Sequence, residues 1–398
     1  VALLCALVVA CVAEGASARA LTSFTVETAD LKIKAPASLA KTYDMAIANF
    51  GEPMYGATLS GGLSYPTMID ASYRNGCQHF PAGYTVPKTG LGAAILVLDR
   101  GGCPFTDKAY YAQSAGADAL IVVDSVNEPL VTMDVGDDEQ SSQYAANISI
   151  PVGLITKRDG DAFKGVLTAG TSVLAVLDWT DILPHPDERV EWEFWTNSGD
   201  ECGPKCDQQK QFLSDFRPIA KKLEQDGYTS FTPHYITWLC PPDLIQDPAC
   251  VAQCINNGRY CCPDPDGNFH SGYSGRDVVI ENLRTLCVFD VANATGASWK
   301  WWDYVTQFGN RCTMESGNYG VEACATAILD TLGLDVEAWR ACVGDPDAND
   351  QNALLDEQQH AQIGTDGRSD VSILPTVVIN QEQYRGKIIG SDGLRAIC

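Results

Sequence analysis

Three groups of side chains in this sequence have the types and spacing to do chemistry. The first is Asp99-Arg100-Gly101-Gly102-Cys103-Pro104-Phe105, where a guanidinium stands beside two glycines. Glycines leave the backbone approachable, and arginine offers a fork of donors that matches a carboxylate or a peptide carbonyl. The same spacing suits an arginine that only caps a turn or pairs Asp99, and it leaves both readings open. The second group is the acidic run Asp134, Asp137, Asp138 and Glu139. A solvated charge cluster is the ordinary form of such a run, and a seat for a ligand's cation is the alternative. The third is Cys202-Gly203-Pro204-Lys205-Cys206. A cysteine pair opening a helix is the arrangement of thiol–disulfide exchange, but that motif has two residues between its cysteines and this one has three. Asp200 and Glu201 oppose a thiolate, whereas Lys205 and the helix N-terminus favour it. A structural disulfide between Cys202 and Cys206 is sterically allowed.

Other chemistries find little support. There is no His-Glu-x-x-His zinc pattern and no Gly-x-Ser-x-Gly elbow, and the 5 histidines (79, 185, 234, 270 and 360) show no paired ligand spacing. No paired Cys-x-x-Cys set points to zinc, so no metal is expected. Asp345-Pro346-Asp347-Ala348-Asn349-Asp350, with Asp356 at the twelfth place, resembles a calcium loop but lacks the glycine of the sixth place. Trp299-Lys300-Trp301-Trp302 reads as core rather than as an exposed ligand platform.

The elements that must position the Arg100 loop are legible around it. Ala93 to Leu98 is a buried strand, Asp107 to Ala115 has helical spacing capped by Gly116, and Ala119 to Val123 is the next buried strand. Strand, helix and strand within about thirty residues make the crossover unit of a parallel pair. Ser149 to Ile155 and Asp159 to Leu167 predict a further strand and a short helix. Cys103 has Cys77 as its natural partner, since residues 21–180 hold no other cysteine. Residues 181–398 hold twelve cysteines and seven tryptophans, and Pro184 and Pro186 mark an extended connector between the regions. Val190 to Trp195 then alternates as a strand, a helix follows from Asp207 to about Leu223, and Pro375 precedes a strand and hairpin. That order, with the cysteine pair and a late Pro-Thr strand, looks like a thioredoxin fold in which Pro375 takes the cis-proline place.

The chain of 398 residues is 45% hydrophobic and 20% charged, a globular composition, and carries a net charge of −24. So acidic a surface disfavours nucleic acid and anionic lipid and favours basic proteins or peptides. The charge is uneven: residues 181–398 hold 16 basic and 33 acidic side chains, a net of −17. Residues 1–20 read as a secretory signal peptide without its start, with small residues at 16–20 for cleavage. Removing it takes Cys5 and Cys11 and leaves 14 of the 16 cysteines. Sequons at Asn147 and Asn293 suit the same lumenal compartment as glycosylation sites.

The strings Asp99-Arg100-Gly101-Gly102-Cys103-Pro104-Phe105-Thr106-Asp107-Lys108 and Ala112-Gln113-Ser114-Ala115-Gly116-Ala117-Asp118-Ala119 closely resemble a protease-associated domain. With Ile47-Ala48-Asn49-Phe50-Gly51, Trp195-Thr196-Asn197-Ser198, Glu201-Cys202-Gly203-Pro204-Lys205-Cys206 and Phe231-Thr232-Pro233-His234-Tyr235, the resemblance narrows to plant-type vacuolar sorting receptors, over nearly the whole mature chain. It implies two domains of α/β and α+β class: a protease-associated domain over 21–180, a linker over 181–189, and a thioredoxin-like domain over 190–398. The second carries a disulfide-rich helical insertion over about 225–370. It further implies that residues 100–105 are the cargo-binding loop, with Arg100 contacting residues that precede an Asn-Pro-Ile-Arg type core. Asp134, Asp137, Asp138 and Glu139 are then expected to line the same groove. Gly102 and Pro104 depart from the family, which usually has Asp and a larger residue there, and this implies a shifted cargo preference.

The expected function is therefore the lumenal cargo-recognition part of a vacuolar sorting receptor, not an enzyme, binding signal peptides of soluble vacuolar proteins on the Golgi-to-prevacuolar route. The family continues into EGF-like repeats, a membrane helix and a cytosolic tail. Calcium is expected in those repeats, so no cofactor is expected here. A lumenal thiol–disulfide oxidoreductase, or a structural glycoprotein built on a receptor ectodomain, are the competing readings.

Overall fold

The computed structural model describes residues 26–398 except 68, 89–91, 137, 202, 266, 365–367, 369, 389, 391–395 and 398. The expected signal peptide, Asp137 and Cys202 thus lie outside the described residues.

The first domain closes seven strands into a barrel: β1 (Thr28–Ala35), β2 (Thr42–Ile47), β3 (Thr58–Ser64), β4 (Ala93–Asp99), β5 (Ala119–Val123), β6 (Val152–Ile155) and β7 (Val173–Asp178). Their order around the barrel is β1-β2-β6-β5-β4-β3-β7. The run β3-β4-β5-β6 is parallel and the other pairs are antiparallel. Parallel strands are covered on both faces, which explains why Leu96, Val97, Leu120, Ile121 and Val122 are all fully buried. Helices α1 (Phe105–Ser114), α2 (Glu139–Asn147) and α3 (Lys157–Thr168) supply that cover. Aspartate and threonine caps start the last two: Asp138 accepts from Ser141 N, and Thr156 accepts from Asp159 N.

The second domain is built on a four-stranded sheet with the order β13-β12-β8-β9, formed by β8 (Val190–Thr196), β9 (Thr229–Tyr235), β12 (Thr376–Ile379) and β13 (Glu382–Gln383). Helix α4 (Pro204–Gln225) joins β8 to its parallel neighbour β9, with Pro204 in the first turn where a missing N–H costs nothing. The insertion expected from about residue 225 therefore begins only after β9, whose pairing with β8 makes it part of the sheet. It holds α5 (Pro248–Gln253), the small hairpin β10 (Cys254–Ile255) and β11 (Tyr260–Cys261), and then α6 (Gly275–Ala294), α7 (Lys300–Arg311), α8 (Glu322–Leu332), α9 (Val336–Val343) and α10 (Ala353–Gln362). Disulfides Cys240–Cys250, Cys254–Cys261, Cys287–Cys342 and Cys312–Cys324 staple it.

Trp301 and Trp302 are fully buried, as expected of core. They pack with Trp192 and Phe231, ring centroids lying 5.0 Å apart for Phe231–Trp301 and 5.6 Å for Trp192–Trp302. The Leu374–Pro375 bond is cis, in keeping with the thioredoxin-like order of elements. The calcium-loop residues do not converge. Asp347 pairs Arg276, Asn349 accepts from Arg259 and Asp356 accepts from Tyr260. Among the described residues the one cluster of potential metal ligands is Cys240, Cys250 and Cys254, whose sulfurs are already spent in disulfides.

A chain of contacts locks the two domains together. The Arg385 guanidinium donates through Nε to Glu27 Oε2 at 2.8 Å, and both groups are buried. Tyr55 OH donates to Arg385 O at 3.0 Å and accepts from Arg385 N at 2.9 Å. Lys387 N donates to Gly51 O at 2.7 Å, and its ammonium pairs Glu52 and donates to Ala146 O and Ile148 O. Gly386 holds φ +112°, and a Cβ there would meet Pro53 Cδ at 2.5 Å, so only glycine lets the strand end press this closely on the barrel.

Candidate functional site

The Arg100 loop leaves the C-terminal end of β4. Its first backbone N–H is tied to Val123 O of the parallel neighbour β5 at 2.9 Å, so the loop starts from a fixed place. Arg100 does not pair Asp99, whose carboxylate instead accepts from Tyr65 at 2.7 Å and Lys164 at 2.8 Å. Arg100 Nη1 reaches Asp124 at 2.9 Å and Glu128 at 2.6 Å, and the ring of Phe105 lies 5.7 Å from the guanidinium carbon. Asp124 is buried at the end of β5 and also accepts from Ser125 N and Val126 N, which fixes its position.

Both bonds of Arg100 come from one nitrogen. Its Nε and Nη2 have no partner among the described residues, and the side chain is 29% exposed. Gly101 and Gly102 are exposed, with φ of +106° and +85°, a region that ordinary side chains rarely enter. A Cβ on Gly102 would meet Asn75 Nδ2 at 2.8 Å and Cys77 Sγ at 3.1 Å, so this loop shape requires glycine there. The N–H groups of Gly101, Gly102 and Cys103 have no partner among the described residues. The Cys77–Cys103 disulfide is present and ties the loop to the segment ahead of it. Half a guanidinium and three unspent N–H groups make a seat for acceptors: a carboxylate or a peptide carbonyl.

The described members of the acidic run each have partners of their own, and Asp137 lies outside the described residues. Asp134 accepts from Asn49 Nδ2 at 3.1 Å and Val135 N at 2.8 Å. Asp138 caps α2, and its bonds from the Ser141 hydroxyl and N–H hold its carboxyl below the usual range. Glu139 accepts from Gln143 one turn on, at 3.0 Å. Asp138 lies close enough to Asp107, in the first turn of α1 beside the Arg100 loop, to help raise that carboxyl, after burial, while Asp134 and Val135 line a cleft between the domains.

That cleft measures ≈ 260 Å³ and is walled by Asp134, Val135 and Ala146 on the barrel side and Phe212, Asp215 and Pro375 on the other. A second recess of ≈ 180 Å³ holds Cys206, Glu201 and Asp264, and the two share Gln209, Leu374 and Pro375 as a common wall. Cys206 is disulfide-bonded, and the pairing predicted for it, with Cys202, lies outside the described residues. Cys262 is a buried free thiol that accepts from Asn282, and burial pushes it up to about 12, so it supplies no thiolate. The sequons are accessible: Asn147 ends α2, Asn293 stands near the end of α6, and both are exposed.

Sequence reasoning missed Asp124, Glu128 and the cleft. The first was within reach: parallel register sets Asp99 beside Val123, which puts Arg100 beside Asp124.

Comparison with known proteins follows the same division. The family model "Vacuolar sorting receptor thioredoxin-like domain" matches residues 190–398, and the PA domain model matches residues 61–163. "Vacuolar-sorting receptor 1" of Pisum sativum is 49% identical over 376 residues, covering 94% of this chain and 59% of that protein. "Vacuolar-sorting receptor 3" of Arabidopsis thaliana is 48% identical over 378 residues, with the same coverage. This chain therefore spans well under two thirds of those relatives. Among solved structures, the aminopeptidase from Aneurinibacillus sp. strain AM-1 superposes with a TM-score of 0.27 at 23% identity, covering 39% of this chain and 31% of its own. That likeness is too low to bear on activity. A barrel carrying the Arg100 loop, locked to a thioredoxin-like sheet with a cis-proline and a disulfide-stapled helical insertion, is matched over 94% of the chain by such relatives: the chain belongs to the vacuolar sorting receptor family.

Proposed function

We propose that this chain is the lumenal cargo-recognition region of a sorting receptor, which binds signal peptides of soluble proteins bound for the vacuole. The observation that carries the reading is the half-engaged Arg100 guanidinium beside three unpartnered N–H groups, on a loop pinned at both ends. Such a seat takes the acceptors of an extended peptide without any bond being made or broken. A second contact falls in the cleft between the domains, where Asp134 and Asp215 border a largely apolar wall and suit a basic or apolar peptide side chain. Among the described residues no helix is long and apolar enough to cross a membrane. Glycans at Asn147 and Asn293 fit a lumenal compartment.

The test is calorimetric titration with an Asn-Pro-Ile-Arg type signal peptide at neutral pH. A charge-assisted hydrogen bond contributes about 1.5–3 kcal/mol, so Arg100→Ala should weaken binding by roughly 10- to 150-fold. Asp215→Lys should weaken it further by reversing charge in the cleft. Equal binding by parent and Arg100→Ala would remove the Arg100 loop from the site. Binding is also expected to weaken as pH falls toward about 4, where carboxylates on either partner protonate. Affinity that holds constant to that pH would contradict an ionic contribution.

A further inference from the structure

Lys108 is the side chain that the account so far does not use. It is fully buried, in the second turn of α1, and among the described residues it forms no ion pair. Lysine is rarely buried without a paired charge, so its place needs a reason. Its ammonium donates to Asn75 O at 2.5 Å and Gly101 O at 2.6 Å, and lies 3.5 Å from Cys77 Sγ. All three contacts are to the two segments joined by the Cys77–Cys103 disulfide. A cation near a helix N-terminus also works against the helix dipole. The arrangement is thus costly in two ways and directed wholly at the loop.

The geometry of the peptide bond shows what the cost secures. A trans peptide is planar, with its C=O and the following N–H pointing in opposite directions. Lys108 draws the Gly101 carbonyl inward, so the Gly102 N–H of the same peptide plane is turned outward. Two consecutive glycines with positive φ would otherwise let that plane rotate freely. We infer that Lys108 is the positioning residue of the Arg100 loop, holding the Gly101–Gly102 peptide plane with its N–H outward for an acceptor of the bound peptide. This rests on the peptide-binding reading of the loop. The charged groups acting on the ammonium are Asp107 on its own helix and Asp99 at the end of β4; Asp138 caps the neighbouring α2, and Arg74 and His79 stand on the segment that carries Asn75. Burial outweighs the two carboxylates and lowers the ammonium to about 8.

Lys108→Met keeps an unbranched side chain one atom shorter and removes the donors. Two measurements test the inference. The first needs no ligand: backbone ¹⁵N relaxation at Gly101 and Gly102 should show a rigid loop in the parent and a mobile one in Lys108→Met. The second is affinity for an N-acetylated Asn-Pro-Ile-Arg type peptide without His or Cys, measured from pH 6 to pH 9.5. The parent should bind evenly up to about pH 7 and weaken through pH 8 to 9, where the ammonium's charge-assisted bonds become the weaker bonds of a neutral amine that keeps two N–H donors; Lys108→Met should bind at least tenfold more weakly than the parent at pH 6 to 7, with no such step.

Stability should move the opposite way in the parent. Above pH 8 the unfolded chain holds this proton and the folded chain does not, so the Lys108 contribution to folding stability rises with pH up to about 10.5. A merely structural lysine would show the same rise in stability with no step in affinity. An ordered loop in Lys108→Met, or affinity within twofold of the parent, overturns the inference. If Lys108→Met fails to fold, relaxation in the parent decides: Gly101 and Gly102 already mobile at pH 6 to 7 refute it. If the parent binds no peptide at all, the cargo reading fails, while the relaxation experiment still decides what Lys108 does.

Discussion

Replacing Arg385 with methionine tests whether the two domains stand as one unit. The Arg385 guanidinium donates to Glu27 at 2.8 Å, to Gln383 at 2.8 Å and to Thr376 at 3.4 Å, in a region sealed from water. Removing it leaves the Glu27 carboxylate buried without its cation, and breaking a buried pair in this way costs about 3–5 kcal/mol. If the chain unfolds as a single unit of about 370 residues, the unfolding entropy is roughly 0.8 kcal/mol/K, and a loss of about 4 kcal/mol lowers Tm by about 5 °C. The Tyr55 contacts are to the Arg385 backbone, so they survive the substitution and isolate the effect of the side chain. The double variant Glu27→Met with Arg385→Leu removes both charges and should recover most of the loss, since an apolar pair of similar volume replaces a buried ion pair at little cost. Scanning calorimetry reads both quantities: the parent should give one transition, and Arg385→Met a lower or split one, with the barrel separating from the second domain. A single variant with unchanged Tm, or a double variant no better than the single, would refute the argument that this buried pair couples the domains.

Three further outcomes are expected. Replacing Cys77 and Cys103 with serine frees a loop of 26 residues, which by chain entropy costs about 3.5 kcal/mol, and denaturant unfolding should register that loss together with weaker peptide binding. His234 stacks on Trp195 at 4.3 Å, and its Nδ1 must donate to Gln358 Oε1, because that oxygen already accepts from Tyr235 N. Burial lowers its pKa, so the unfolded chain takes up this proton first and stability falls as pH drops below about 6.5; His234→Phe should flatten that limb in pH-dependent melting. Hydrogen bonds from Lys32 and Thr180 hold Asp178 at about 2. Its contribution to the β1–β7 seam is complete above the ordinary carboxylate range and is lost as pH falls toward 2, so Asp178→Asn should make acid unfolding less steep.

What the linear sequence determined is the local machinery. The unit β4, Arg100 loop, α1 and β5 follows from an apolar run, two glycines and a helical pattern read in order, because each is set by near neighbours. The Cys77–Cys103 bond was legible because no other cysteine competed in the first region, and the cis bond at Pro375 because the order of elements resembles a thioredoxin fold. Strand β9 was absorbed into the insertion because Thr229 to Tyr235 shows its role only when paired with β8. Arg100 illustrates the division within a single residue. Its exposure on a glycine loop could be read from residues 99–105, but its choice of Asp124 and Glu128 over Asp99 is made by the register of two parallel strands and lies 24 and 28 residues away. The acidic run shows the converse, since neighbours in sequence take different partners: Asp138 caps α2 while Asp134 lines the cleft facing the second domain. The Glu27–Arg385 pair joins residues 358 positions apart, and Lys108 is buried under its own loop. No pattern along the chain announces either one, because burial and partner choice for a charge are properties of the packed interior, decided when distant segments close around it and exclude water.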